Sequence, residues 1–149
     1  MNLFQGPSSS IYLLTAFCFL GCNNHPSVQN HQQVTEISIL LWDSLRQAHP
    51  EAILIDVRSD EEWNAGHLAE ASYVSFDWDH RKEPLSQIPS DRPVFVYCEA
   101  GGRSGVVTEE LRIIGHPHIV DLIGGMEQWM ENGKPLAFGE PSALAQTKN

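Results

Sequence analysis

Residues 94–104, Val94-Phe95-Val96-Tyr97-Cys98-Glu99-Ala100-Gly101-Gly102-Arg103-Ser104, leave this chain few ways to fold. Four β-prone residues run up to a cysteine, two glycines follow, and the run from Gly105 has helical character. That is a strand, a tight loop and a helix start, with a thiol at the hinge. The first turn of a helix has N–H groups without partners and a partial positive charge, so it favours anions. A cysteine there should titrate below its reference value of about 8.5 and be a thiolate near neutral pH. Gly101 and Gly102 permit backbone angles that turn N–H groups inward around the sulfur, as an anion nest does.

The flanking segments alternate in type. Residues 52–57 are a near-continuous apolar run, as in a central parallel strand. Ile37 ends a short first strand, and Ser38 caps a helix to Gln47 with Leu41, Leu45 and Ala48 as its apolar face. Ser59 and Glu62 form a capping box for a short helix through Trp63 and Asn64, which Gly66 stops. Residues 72–76 read as a strand, and residues 77–93, polar and punctuated by proline, as mostly loop. After the helix over 104–115, residues 118–122 form the last strand and 125–132 the last helix, with Gly133 as its C-cap. The pattern predicts an α/β three-layer sandwich on a mostly parallel central sheet of about five strands. Ligands of such folds bind at the carboxyl ends of the strands, where Cys98 stands.

Cys98-Glu99-Ala100-Gly101-Gly102-Arg103-Ser104 resembles the active-site loop of rhodanese-like sulfurtransferases, Cys-x-x-Gly-x-Arg-Ser. Residues 56–68, from Asp56-Val57-Arg58 through Trp63 to Gly66-His67-Leu68, resemble that family's upstream signature. Gly124-Gly125-Met126-Glu127-Gln128-Trp129 is similar to its closing motif, with Met126 in place of the usual aromatic. The resemblance covers roughly residues 36–138 and implies two-step transfer of sulfane sulfur, with Cys98 as the nucleophile that carries a persulfide. It implies no metal and no organic cofactor. The implied partners are a small sulfur-containing anion such as thiosulfate as donor, and cyanide, a thiol or a protein cysteine as acceptor. Residues 99–104 would be the anion-binding loop, with Asp56 and Arg58 bracing it from the neighbouring strand end. Arg103 either faces a bound oxyanion or pins the loop through a carboxylate. Ser104 either donates to the sulfur or caps the helix. His67 is the position at which the family has a structural histidine, and Trp63 and Trp129 are expected in the core.

Two other readings share these residues. Cysteine-dependent phosphatases resemble Cys-x5-Arg, whereas four residues separate Cys98 from Arg103, and Tyr97 replaces the histidine that commonly precedes the phosphatase cysteine. The smaller loop suits sulfur better than a phosphoryl group. A persulfide carrier or redox-sensing module with little turnover is the other reading. Glu99, if exposed, should repel a dianionic donor by on the order of a kcal/mol.

None of the first 35 residues is Asp, Glu, Lys or Arg, so the net charge of −10 belongs to the remainder. That charge argues against nucleic acid or anionic lipid as the main partner. The apolar run 11–20 has the length of a signal-peptide core, too short to span a membrane. It ends in Phe19-Leu20-Gly21-Cys22, which resembles the lipobox of bacterial lipoproteins, with Phe19 where Leu is usual and no Lys or Arg before the run. Residues 1–21 are then a signal peptide, Cys22 the lipidated first residue, 22–35 a flexible tether, 36–138 the domain and 139–149 a disordered tail. The expected location is the periplasm or cell envelope, with membrane contact only through the lipid; the alternative is a cytoplasmic protein with an apolar extension. Cys98 becomes the one thiol of the domain, which rules out a disulfide within it. The histidines show no zinc-ligand spacing, and a monomer is expected.

Overall fold

The computed structural model describes residues 33–144. The signal peptide, Cys22 and most of the tether of the sequence reading lie outside the described residues.

The strands are β1 (Val34–Ile37), β2 (Ile53–Asp56), β3 (Ser72–Tyr73), β4 (Val94–Tyr97) and β5 (Ile119–Leu122). The helices are α1 (Ile39–Ala48), α2 (Asp60–Asn64), α3 (Trp78–Ser86), α4 (Gly102–Ile113) and α5 (Gly125–Glu131). The strands form one five-stranded sheet in the order β1-β5-β4-β2-β3, every pair parallel. All four residues of β2, β4 and β5 are buried. This is the apolar run expected of strands covered on both faces.

Alternation along the strands sorts the core into two layers. Leu54, Phe95, Tyr97, Val120 and Leu122 face α1, α2 and α5, packing with Trp42, Trp63, Met126 and Trp129. Ile53, Ile55, Val94, Val96 and Ile119 face α3 and α4, with Leu85, Val107 and Leu111. Burying each such large apolar side chain is worth about 1.5–3 kcal/mol. Trp42 stands edge-on to both Phe95 and Trp129, with ring centroids 5.9 and 5.7 Å apart. β4 is the middle strand, so the residue that follows Tyr97 emerges at the centre of the sheet's carboxyl edge. That residue is Cys98.

Several expectations are corrected. α1 buries Ile39 and Trp42, with Leu45 partly covered, whereas Leu41 and Ala48 face solvent. Its apolar stripe is therefore set by the bulky Trp42 packing on Phe95. Ser38 occupies the N-cap position without a side-chain cap bond. The strand expected over 72–76 pairs only at Ser72 and Tyr73. α4 starts two residues before Ser104. Asn132 is the C-cap of α5, and Gly133 follows it at φ +64.

The stretch expected to be mostly loop contains α3, which Asp77 caps through the Asp79 N–H (2.9 Å). Arg81 holds this helix down instead of an apolar stripe. It donates from Nε and Nη2 to Glu110 of α4 (3.0 and 2.8 Å) and from Nη1 to the Phe76 carbonyl. Its guanidinium lies over the Phe76 and Trp78 rings, 4.5 and 4.9 Å from their centroids. Residues 139–144, expected in a disordered tail, return to the domain: Trp63 Nε1–H donates to the Gly139 carbonyl (3.1 Å) and Ser142 N–H to that of Ala71 (2.9 Å).

Candidate active site

Position on β4 aims the Cys98 side chain at the layer of α3 and α4, under the first turn of α4, and the residue is 1% exposed. The loop closes at Gly101, at φ +104, a conformation that residues with a Cβ rarely adopt. From there the Gly101 N–H donates to Cys98 Sγ at 3.1 Å. The Gly101 carbonyl accepts the first helical bond, from Gly105 N–H (3.1 Å). The N–H groups of Gly102, Arg103 and Ser104 precede any intrahelical acceptor and form the positive end of α4 above the sulfur.

The other side of the loop rests on α5. Met126 N–H donates to the Cys98 carbonyl and Glu127 N–H to the Glu99 carbonyl, both at 3.0 Å. The loop's carbonyls are thus drawn toward one helix start, and its amides remain for the other. Gly125, at φ +47, permits this contact: a Cβ there would lie 2.0 Å from the Cys98 oxygen and 2.7 Å from the Glu99 oxygen. The closing motif that holds Gly124 and Gly125 gives no sign, from sequence alone, of this contact with the cysteine loop.

Asp56 and Arg58 are hydrogen-bonded to each other, and Arg58 reaches the loop at Glu99. Both are buried. Asp56 Oδ1 accepts from the backbone N–H and Nε of Arg58 (2.9 and 3.0 Å), and Oδ2 from its Nη2 (2.9 Å). Arg58 then donates from Nη2 to the Gly66 carbonyl (2.6 Å) and from Nη1 to Glu99 Oε2 (3.1 Å). Burial opposes the charge on Arg58, yet the Asp56 and Glu99 carboxylates outweigh it and hold the guanidinium above its ordinary pKa. Glu99 is consequently part-buried and paired rather than a free negative charge at the mouth.

Arg103 is paired with a carboxylate. Its Nη1 and Nη2 donate to Glu62 Oε2 and Oε1, both at 2.6 Å. Glu62 Oε2 also accepts the Ser59 N–H (2.8 Å), completing the expected capping box of α2. Hydrogen bonding to Arg103 first, and to Ser59 next, pulls the Glu62 pKa down to about 2. Ser104 neither reaches the sulfur nor serves as the N-cap, which is Gly101; its hydroxyl donates to the Gly101 carbonyl (3.1 Å).

His67 is structural: Nδ1–H donates to the Leu68 carbonyl (3.0 Å), and its ring stacks on Trp63 at 3.6 Å. Trp63 and Trp129 are both core residues. Among the described residues no group of three His, Cys, Asp or Glu side chains is placed to hold a metal ion. No helix among them is long and apolar enough to cross a membrane.

Asp121, which no sequence motif marks, lies near the loop as well. Buried on β5 beside the start of α4, it has an Oδ1 without a hydrogen-bond partner among the described residues. Burial raises its pKa, Ser104 lowers it, and Glu36 across the β1–β5 pair raises it again. A carboxyl with a raised folded pKa binds protons that the unfolded chain releases, so stability falls as pH rises between the two values. Asp121→Asn is therefore expected to raise the thermal midpoint at pH 7. The gain should shrink as pH falls from the raised value toward the ordinary aspartate value and vanish below it, and melting curves of both proteins against pH test it.

A family profile for the rhodanese-like domain matches residues 41–132. The chain belongs to the rhodanese-like domain family. The rhodanese-like domain is similar to uncharacterized protein YqhL of Bacillus subtilis, 33% identical over 90 residues that cover 60% of this chain and 70% of YqhL. It is also 33% identical over 97 residues to thiosulfate sulfurtransferase GlpE of Tolumonas auensis, covering 65% of this chain and 89% of GlpE. Longer curated relatives are matched over 22% or less of their own length. Among solved structures, a rhodanese-like domain protein from Staphylococcus aureus superposes with a TM-score of 0.60 at 27% identity, covering 71% of this chain and 99% of that one.

Proposed function

We infer that this rhodanese-like domain is a sulfurtransferase that carries sulfane sulfur as a persulfide on Cys98. The observation that carries the reading is the Gly101 N–H held 3.1 Å from Sγ beneath the first turn of α4. In the first step the Cys98 thiolate attacks the outer sulfur of a donor. The donor's S–S bond breaks, its electron pair leaves with the leaving group (sulfite, for thiosulfate), and Cys98–S–S⁻ remains. In the second step a nucleophile such as cyanide or a thiol attacks the outer sulfur, and the bond's electron pair returns to Cys98 as thiolate. The inward amides stabilise negative charge on the inner or the outer sulfur at each stage. Incubation with a sulfane-sulfur donor should add one sulfur atom to the intact mass, and cyanide should remove it as thiocyanate. A protein that gains no sulfur from any donor is not a sulfurtransferase. Persulfide formation without turnover would leave the carrier reading, which the burial of Sγ also suits.

Loop size is the second determinant. One glycine inserted between Gly101 and Gly102 would give the five-residue spacing of the phosphatase loops and widen the ring of amides. A charge-assisted hydrogen bond is worth about 1.5–3 kcal/mol, so losing one should slow transfer roughly ten- to a hundredfold. Phosphate should meanwhile protect Cys98 from alkylation better than before. Unchanged transfer and unchanged anion preference would show that loop size does not select the substrate.

The leader adds a location. An exported, lipid-anchored domain is supported by the apolar run, Cys22 and the uncharged tether. Cys22→Ala should then move the protein from the detergent phase to the aqueous phase in a bacterial host. Identical partitioning of wild type and variant would remove the anchor.

A further inference from the structure

We propose that Asp121 acts on the reaction through Cys98: its carboxylate draws on the same positive helix end as the sulfur, which leaves the thiolate less stabilised and more nucleophilic than the loop amides alone would make it. The inference rests on Cys98 as the nucleophile of the reading above, and on nothing about the donor.

Placement comes first. Asp121 is the Cα partner of Val96 in the parallel β4–β5 pair. Val96, Cys98 and Ile119 share the layer under α3 and α4, and alternation puts Asp121, two residues after Ile119, on that same face. Cys98 is two residues beyond Val96. With strands about 4.8 Å apart and a rise of about 3.3 Å per residue, its Cα lies about 8 Å from that of Asp121. Both side chains stand beneath the first turn of α4. Cys98 Sγ accepts the Gly101 N–H there (3.1 Å), and Asp121 Oδ2 lies 3.9 Å from where a Cβ on Gly105 would sit.

Charge comes next. Asp121 is 6% exposed, and its Oδ1 has no hydrogen-bond partner among the described residues. A buried carboxylate is ordinarily answered by a cation, and none of the elements packed on this one offers it. From β1 it faces Glu36, a second acid. β4 presents the apolar Val96 and then the Cys98 thiol. From α4 it meets the Ser104 hydroxyl and Gly105. The charged residues of that helix are engaged elsewhere: Arg103 with Glu62, Arg112 with Glu109, and Glu110 with Arg81. What remains for the carboxylate is the unpaired amides and partial positive charge at the start of α4, the support that the sulfur also uses. Two acids on one helix end titrate as a pair. A carboxyl ionises before a thiol (about 3.9 against about 8.5 unperturbed), so Cys98 loses its proton beside a charge already present.

The test uses methyl methanethiosulfonate, a small uncharged reagent that a thiolate converts to a mixed disulfide with release of methanesulfinate. Its rate at Cys98, followed by mass on the Cys98 peptide, is measured from about pH 4 to about pH 10 in wild type, Asp121→Asn and Asp121→Val. Both substitutions remove the charge, and only Asn keeps the hydrogen-bonding capacity. Each should make the thiolate form at least about fivefold more readily, moving the midpoint of the profile to lower pH. The rate on the alkaline plateau should fall about twofold, because a better stabilised thiolate is a weaker nucleophile. A merely structural role would lower rates without lowering the midpoint. The shift should survive about 1 M salt, which screens exposed charges such as Glu36 and not a buried one. Asp121→Asn keeps the shape of the side chain, and a melting curve confirms that the protein read is folded. A folded variant whose thiolate forms less than about twofold more readily than that of wild type, or whose midpoint moves to higher pH, overturns the role of Asp121. Loading by thiosulfate is read on the same samples: its failure in wild type overturns the sulfurtransferase reading and leaves the midpoint to decide on Asp121.

Discussion

Cys98→Ser is expected to lower sulfur transfer below about 1% of wild type, the largest effect of any single change in the domain. A hydroxyl is not appreciably ionised at neutral pH, and an oxygen there cannot form the persulfide on which the second step depends. The fold should persist, because the oxygen is close in size to the sulfur it replaces and can accept the Gly101 N–H that now reaches Sγ. The measurements are thiocyanate formation, intact mass after donor treatment and a melting curve. Retention of more than a few per cent of turnover by a folded Cys98→Ser protein would remove Cys98 from the chemistry.

Gly125→Ala should come next, although residue 125 lies behind the loop, against the carbonyls of Cys98 and Glu99. The added Cβ would sit 2.0 Å from the carbonyl oxygen of Cys98 and 2.8 Å from its carbonyl carbon, so relief requires moving the backbone of the nucleophile itself. The φ of +47 adds roughly 1–2 kcal/mol for a residue with a Cβ. Relief also breaks the Met126 and Glu127 amide bonds to the loop carbonyls, and those carbonyls are then free to rotate toward the sulfur. A drop in transfer of about a hundredfold, together with a lower melting temperature, is expected. Gly102→Ala is the comparison: no atom lies within 4 Å of a Cβ there, and its φ is not positive, so the fold should be unaffected. A Gly125→Ala protein within twofold of wild type in both rate and stability would show that the α5 start does not hold the loop.

What could be read from the sequence was local. β2 and β4 announced themselves because strands buried on both faces need no polar residue, and α2 because its capping box spans four residues. The cysteine loop was legible for the same reason: strand, glycines and helix start are contiguous, so one short stretch carries the geometry. α3 was not legible. Its anchor is a buried arginine whose carboxylate partner lies 29 residues on, and Pro84 within it argued against a helix. The face of α1 was misplaced because Leu41, Leu45 and Ala48 satisfy helical spacing as well as Ile39 and Trp42 do; packing of Trp42 on Phe95 decides between them. The partner of Arg103 is 41 residues upstream in a helix that already accounted for Glu62 as a cap, so nothing local assigned Glu62 a second task.

That second task has a consequence for how the molecule breathes. One oxygen of Glu62 serves both the amide of Ser59, the N-cap of α2, and the guanidinium of Arg103. Any fluctuation that frays the start of α2 therefore slackens the reactive loop at the same moment, and loss of Arg103's grip loosens the helix in return. Two segments far apart in the chain become one cooperative unit of opening, and slow exchange of the Ser59 amide hydrogen becomes a reporter of how tightly the cradle around Cys98 is shut.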